Sequence, residues 1–125
     1  MNILFLDDND QRIQSTETKF CEVQPPNSIS SLVCVTTAED AIKQLQNGTT
    51  WDFISLDHDL GGNTFMSSDR EDTGMEVVRW IVGNIKAKEY EGVIRVHTWN
   101  VPAGRRMVDT LKRYGFRCYY EPFNV

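Results

Sequence analysis

Three short apolar runs in this 125-residue chain each end in side chains that bind metals or move protons. The runs cover residues 2–6, 53–56 and 93–96. The polar residues that follow them are Asp7, Asp8, Asp57, His58, Asp59 and His97. Carboxylates alone suit Mg²⁺ or Mn²⁺, and an added imidazole shifts the preference toward Mn²⁺, Fe²⁺ or Zn²⁺. The pattern therefore predicts a divalent metal site of open metal identity. Its predicted ligands are Asp7, Asp8, Asp57 and Asp59.

Simpler roles exist for the same side chains. Asp7 or Asp8 could cap the first helix, because Asp is a favoured N-cap residue. Residues 57–59 could lie on an exposed loop, although burying ionisable groups costs several kcal/mol each unless they are paired or coordinated. His97 suits proton transfer beside acids, whereas a lone strand histidine is more often a satisfied structural residue. The predicted catalytic residues are His97, His58 and Asp57.

The residues after the third run can hold a phosphate group. Thr98 and Asn100 offer a hydroxyl and an amide just before a predicted helix, whose N-terminal amides attract anions. Arg105 on that helix and Arg12 near the first acids would add positive charge. The alternatives are a solvated Arg105 and an Arg12 that only pairs with a carboxylate. Trp99 could stack on a nucleobase or pack in the core.

Strand patterns alternate with helix patterns along the chain. The predicted strands cover residues 2–6, 32–35, 53–57, 93–97 and 116–120. The predicted helices begin near Asp10, Thr37, Thr73 and Pro102, and Pro25-Pro26 forbids helix after the first of them. Short buried strands joined by helices predict a parallel α/β sheet, in which ligands bind at the carboxyl ends of the strands. The polar groups described above should therefore share one edge of the sheet.

Composition limits the partners. The net charge is −5 and the pI is near 4.9, which argues against extended binding along a nucleic-acid duplex. A small phosphate-containing ligand fits if a cation mediates. Three widely spaced cysteines indicate neither a disulfide framework nor a cysteine zinc site. We expect a single domain over residues 1–125, without a membrane segment or signal peptide and therefore cytoplasmic.

The acids after strands 1 and 3 resemble those of response-regulator receiver domains, in which such acids hold Mg²⁺ and one accepts a phosphoryl group. The chain departs from that pattern at His97, where receivers have Ser or Thr, and at Glu121-Pro122, where they have Lys before Pro. The fifth helix of receivers would also be missing, because only residues 122–125 follow the last strand.

The chain is more similar to a divergent group, the cyclic-phosphate-processing receiver-like domains. The motifs that carry this resemblance are Leu6-Asp7-Asp8, Arg12, the LDHDLGG segment at 56–62, Thr73-Gly74, and Val96-His97-Thr98-x-Asn100. They span nearly the whole chain. Thr98 stands where Ser is expected, which keeps the hydroxyl.

The resemblance implies a flavodoxin-like, three-layer fold with a five-stranded parallel sheet and no fifth helix. It also implies a metal-dependent phosphoesterase acting on a cyclic nucleotide or an RNA-terminal cyclic phosphate. The alternatives are a non-catalytic module that binds a cyclic nucleotide or a protein, and a phospho-accepting receiver. The enzyme is favoured because His58 and His97 add to the receiver pattern. A sheet face left uncovered by the missing helix would favour a homodimer.

Overall fold

A computed structural model describes residues 1–23 and 30–124, so the predicted break at Pro25-Pro26 lies outside the described residues. Within them the chain forms one five-stranded parallel sheet of order β2-β1-β3-β4-β5. The strands are β1 (Asn2–Leu6), β2 (Ser31–Val35), β3 (Phe53–Leu56), β4 (Val93–Val96) and β5 (Cys118–Tyr120). The helices are α1 (Asp10–Val23), α2 (Ala38–Leu45), α3 (Gly74–Asn84) and α4 (Val101–Arg113), with a 3₁₀ turn at Ala87–Glu89.

This architecture confirms the predicted flavodoxin-like fold, and the described residues contain no helix after β5. The first helix begins at Asp10, as predicted, but Asp10 is not its N-cap. Asn9 rather than Asp10 caps α1, since its Oδ1 accepts a hydrogen bond from the Arg12 amide at 3.0 Å. Thr37 caps α2 as predicted, because its hydroxyl accepts from the Asp40 amide at 3.1 Å.

The two faces of the sheet differ in what covers them. One face packs against α2, α3 and α4 and forms the core with the alternate strand residues Leu4, Leu6, Ile54, Leu56, Ile94 and Val96, each at most 1% exposed. Complete burial of such a side chain contributes about 1.5–3 kcal/mol. This layer holds the strands in register, and therefore also holds the residues that follow them.

The second face carries α1 alone among the described helices. An apolar groove of about 580 Å³ remains on it, with Phe20 of α1, Ile3 of β1 and Phe53 of β3 in its walls. Side chains alternate between faces along a strand, so this second face also carries Asp7 after β1 and Asp57 after β3. No helix in residues 1–23 and 30–124 has the length and apolarity that a bilayer crossing requires.

Candidate active site

The carboxyl ends of the three central strands bring Asp7, Asp57 and His97 together, with one ligand atom of each within 4.8 Å of the others. Their backbones extend the parallel ladder. The Asp57 amide donates to the Leu6 carbonyl at 3.0 Å, and the His97 amide donates to the Leu56 carbonyl at 2.9 Å. Because strand pairing fixes these three backbones, the cluster is built into the sheet rather than carried by a loop.

Asp7 is completely buried and is saturated with donors. Its carboxylate accepts from Arg12 Nε at 2.7 Å, Arg12 Nη2 at 3.0 Å, the Asn9 amide at 2.9 Å and His97 Nε2 at 2.9 Å. Burial acts to raise the pKa of Asp7, but the hydrogen bonds from His97, Arg12 and Asn9 outweigh it and lower the pKa below its usual value. Asp7 is therefore an anion held in one orientation.

His97 lies beneath Asp7, only 1% exposed, and stacks on the Phe5 ring with centroids 4.8 Å apart. Its Nδ1 lies 2.8 Å from the Ser55 hydroxyl. An ionised carboxylate can only accept, so Nε2 carries the proton that bonds to Asp7, and Ser55 donates to Nδ1. Burial lowers the pKa of His97 despite the opposing effect of Asp7. The imidazole is therefore neutral at pH 7.

Asp57 is also buried, at 4% exposed, but it has fewer partners than Asp7. Its carboxylate accepts from the His58 amide at 2.8 Å, and Arg12 Nη2 lies 3.5 Å away. Burial, together with the charge of Asp7, raises its pKa to about 7. The site thus holds more negative charge than Arg12 balances. A divalent cation would supply the missing charge, so these residues fit a metal ion.

A cavity of about 400 Å³ opens beside Asp57. Three carboxylates line it, those of Asp8, Asp57 and Asp59. Its other walls come from Asn9, Arg12, the 62–64 segment, Thr98, Trp99 and Asn100. Carboxylates are the ligands that hard cations prefer, and the hydroxyl, amide and guanidinium groups around the same opening are groups that could bind a polar anion.

Asp59 and His58 organise the loop after β3. Asp59 accepts from the amides of Phe65 at 2.9 Å and Met66 at 3.0 Å, from His58 Nδ1 at 2.8 Å and from Asn100 Nδ2 at 3.3 Å. His58 is completely buried, and its Nε2 lies 3.0 Å from the Ser68 hydroxyl. Asp59 lines the cavity, but most of the lone pairs of its carboxylate already accept hydrogen bonds from these groups.

Gly74 permits the first turn of α3 to pack against the strand end. A Cβ at this position would lie 1.7 Å from the Asp57 carbonyl oxygen, and the Gly74 amide donates to the His58 carbonyl at 3.0 Å. The Thr73 hydroxyl donates to the Arg70 carbonyl instead of capping the helix. The Thr73-Gly74 pair therefore fixes the backbone that presents Asp57.

Most of the predicted site residues meet at this cavity, and four do not line it. Those in the cavity wall are Asp8, Asp57, Asp59, Arg12, Thr98 and Asn100. Asp7 and His97 lie below it, and His58 lies behind Asp59, all completely or almost completely buried. Arg105 is exposed on α4, outside the cavity wall. The structure therefore places both histidines and Arg105 outside the cavity wall, where they would not contact a ligand in the cavity directly.

Sequence reasoning missed Ser55 and Asn9. Ser55 fixes the ring orientation of His97, and Asn9 both caps α1 and donates its amide to Asp7. The signal for Ser55 was present, because it is the lone polar residue of an apolar strand and lies two positions before Asp57 on the same face. No comparable signal distinguishes Asn9 from the neighbouring Asp10.

The fold resembles several solved receiver domains. A phosphorylated cyanobacterial phytochrome response regulator, RcpA, is 18% identical, with a TM-score of 0.66 over 99% of this chain and 81% of its own. A Pseudomonas putida receiver protein is 15% identical, with a TM-score of 0.64 over 98% and 87%. The receiver domain of Francisella response regulator 1452 is 14% identical, with a TM-score of 0.63 over 98% and 85%. At these identities the likeness establishes the fold.

The sequence comparisons are more specific. The comparison with curated proteins gives no significant match. The family model described as the cyclic-phosphate processing receiver domain matches residues 2–113, which include every element from β1 to α4 and all residues of the cavity wall. The chain therefore belongs to the cyclic-phosphate processing receiver domain family.

Proposed function

We propose that residues 1–125 form a single receiver-like domain that acts as a metal-dependent phosphoesterase on a cyclic phosphate. The substrate would be a cyclic nucleotide or an RNA-terminal cyclic phosphate. One observation carries this proposal: Asp57, a buried carboxylate whose pKa is raised to about 7, lines an open cavity with two further acids. Such a surplus of negative charge calls for a cation, and a cation lets an acidic site accept a phosphate.

Asp57 and Asp8 would hold the ion in the cavity, with Asp7 behind them and Mg²⁺ or Mn²⁺ as the expected metals. The bound ion would polarise the phosphate and lower the pKa of a water. Arg12 holds Asp7 through Nε and Nη2, which keeps that carboxylate in place beside Asp57. Asp7 would thus be held in a fixed position by Arg12, whereas the negative charge of Asp57 is only partly balanced by neighbouring groups.

The phosphate would bind to Thr98, Asn100 and Arg12. Thr98 and Asn100 line the cavity although they are only 2% and 8% exposed, so their polar groups are held in place by the surrounding residues. The Tyr120 hydroxyl donates to the Thr98 carbonyl at 2.7 Å and fixes that backbone. Arg12 is anchored by Asp7 and contributes positive charge at the opening.

Opening the ring forms one bond from a water oxygen to phosphorus and breaks one ester P–O bond. The released sugar oxygen takes a proton, the water loses one, and a phosphomonoester results. The carboxylates within reach of this exchange are Asp8, Asp57 and Asp59. His97 would act through Asp7, which it holds at 2.9 Å, and His58 would act through Asp59.

The test is incubation of the purified protein with 2′,3′-cyclic and 3′,5′-cyclic nucleotides in the presence of Mg²⁺, Mn²⁺, Zn²⁺, Fe²⁺ or EDTA. Chromatography would separate the linear monophosphate. We expect metal-dependent product from the parent, a loss of product with Asp57→Asn, and no change with Asp109→Asn, an exposed acid on α4 outside the cavity wall. Cleavage of none of these substrates with any metal would overturn the proposal.

The second candidate is binding without cleavage, favoured by the burial of both histidines away from the cavity. Calorimetric binding of a cyclic nucleotide without product would support it. The third hypothesis is a receiver domain that accepts a phosphoryl group. Exposed Glu121 follows β5 where receivers carry Lys, so we expect no adduct at Asp57 after incubation with acetyl phosphate, as checked by intact mass.

A further inference from the structure

We propose that the ligand of the acidic cavity carries a nucleobase and that this base stacks on Trp99. The inference rests on the proposed function and adds to it the residue that binds the base of the nucleotide. It depends on how Trp99 is held, on what lies beside its ring, and on the cavity that it shares with Asp57.

Trp99 is held in place but not covered. It lies between Thr98 and Asn100, which are 2% and 8% exposed, yet it is itself 59% exposed. Its Nε1–H donates to the Phe123 carbonyl at 2.8 Å, so the polar edge of the indole is already satisfied. The surface that remains available for stacking is the ring face opposite Arg12. Packing in the core, the alternative role for this residue, does not occur.

The ring lies beside the groups expected to bind phosphate. The Arg12 guanidinium lies over one face of the ring, 5.8 Å from the centroid, and at the same time pairs with Asp7 at 2.7 Å. Trp99 lines the same cavity as Asp57, Thr98 and Asn100. A cyclic phosphate held by the residues on either side of Trp99 would leave its sugar and base to extend over the cavity rim, where the indole offers a stacking surface.

Charge and apolar surface thus occur together at one opening. A metal ion or an inorganic phosphate would use only the polar wall, and an apolar ligand would use only the indole. A nucleotide uses both. Stacking accepts every base because each has a π-face, so the structure predicts tolerance among bases rather than selection of one.

The experiment compares two ligands and three variants. The ligands are adenosine 2′,3′-cyclic phosphate and ethylene phosphate, a five-membered cyclic phosphate without base or ribose. Trp99→Leu removes the aromatic ring, and Trp99→Phe keeps a smaller one. Both variants lose the hydrogen bond to Phe123, so the difference between them isolates stacking. Tyr114→Ala is the control, because Tyr114 is an exposed aromatic at the far end of α4.

Dissociation constants would be measured by calorimetry with Mg²⁺ at 4 °C, with thermal unfolding of each variant to confirm folding. We expect Trp99→Leu to weaken adenosine nucleotide binding about 10- to 100-fold, with Trp99→Phe in between and Tyr114→Ala unchanged. Ethylene phosphate should bind the parent and Trp99→Leu equally. Nucleotide binding that survives Trp99→Leu, or equal affinity of the parent for both ligands, would overturn the inference.

The outcome also separates this inference from the proposed activity. Trp99-dependent nucleotide binding without product would sustain the base site and reject the phosphoesterase. Cleavage of both cyclic phosphates at equal rates, unaffected by Trp99→Leu, would sustain the phosphoesterase and reject the base site. If neither ligand bound, both the base site and the phosphoesterase would be rejected.

Discussion

Replacing Asp57 by Asn should stabilise the folded protein when no divalent metal is present. Asp57 is 4% exposed and lies in the same cluster as Asp7, a second buried carboxylate. Burial and the charge of Asp7 raise the pKa of Asp57 from 3.8 to about 7. Its ionised form is therefore unfavourable in the folded state, and an amide of similar shape removes that cost while it can still accept from the His58 amide.

The magnitude follows from proton linkage. In the unfolded chain Asp57 ionises near its ordinary pKa. Between about pH 4 and 7 the folded state therefore binds the Asp57 proton more tightly than the unfolded state does. As the pH rises through this range, the parent loses about 1.4 kcal/mol of stability per pH unit from this group. The loss is complete above about pH 7, where it reaches roughly 4 kcal/mol as an upper bound. Asp57→Asn should therefore match the parent near pH 4 and exceed it at pH 8.

Urea unfolding with EDTA at pH 4, 6 and 8 would measure this difference. Asp7→Asn is the matched control, because the pKa of Asp7 is lowered and its carboxylate holds Arg12, His97 and the Asn9 amide. Ionised Asp7 stabilises the fold above its unfolded pKa, and this contribution is lost as the pH falls below it. Asp7→Asn should therefore be destabilised at pH 8, by about 3–5 kcal/mol.

Parallel pH profiles for the parent and Asp57→Asn would refute the reasoning. A metal titration extends the test, since an ion that binds only the folded state stabilises it by RT ln(1 + [L]/Kd). Mg²⁺ should stabilise the parent and leave Asp57→Asn nearly unaffected. An equal gain in both proteins would remove Asp57 from the set of metal ligands.

Three further predictions address other parts of the structure. His97→Ala should lower kcat about 10- to 100-fold, because it removes a hydrogen bond that orients Asp7. It should also lower the melting temperature, because the ring is buried against Ser55, and turnover within a few fold of the parent would rule out a role through Asp7. Gly74→Ala should destabilise the protein by more than about 3 kcal/mol in urea unfolding, whereas Gly83→Ala in the same helix meets nothing within 4 Å and should not. The groove on the α1 face should support a homodimer at tens of micromolar that Phe20→Glu dissociates, and light scattering that shows a monomeric parent would contradict this.

The sequence was sufficient to locate the cluster because parallel pairing leaves little freedom at strand ends. Apolar runs of strand length followed by Asp7, Asp57 and His97 predicted three adjacent carboxyl ends. The register of β1, β3 and β4 brings one polar side-chain atom of each residue within 4.8 Å of the others. The same reasoning predicted that Thr98 and Asn100 line the opening. These positions follow from the backbone alone.

The directions of the side chains could not be predicted in the same way. His97 was expected to face the phosphate, but its ring lies under Asp7 because Phe5 offers a stacking surface and Ser55 a hydrogen bond on the sheet face. Asn and Asp are equally favourable N-cap residues, so the sequence alone did not distinguish Asn9 from Asp10. In the structure the residue that caps the helix, Asn9, also donates its amide to Asp7. Such preferences arise from contacts between residues distant in sequence.

The two acids at the centre of the site have opposite environments. Asp7 has four donors and a lowered pKa, and Asp57 has a raised one, although both are buried at the ends of neighbouring strands. One arginine cannot compensate both charges at once, since Arg12 lies 2.7 Å from Asp7 but 3.5 Å from Asp57. The donors that fix Asp7 thereby leave Asp57 as the carboxylate with most to gain from a cation. Under the proposed function, metal binding and metal-free stability would oppose each other at Asp57, because the charge that would attract the ion is the charge that the fold alone does not balance.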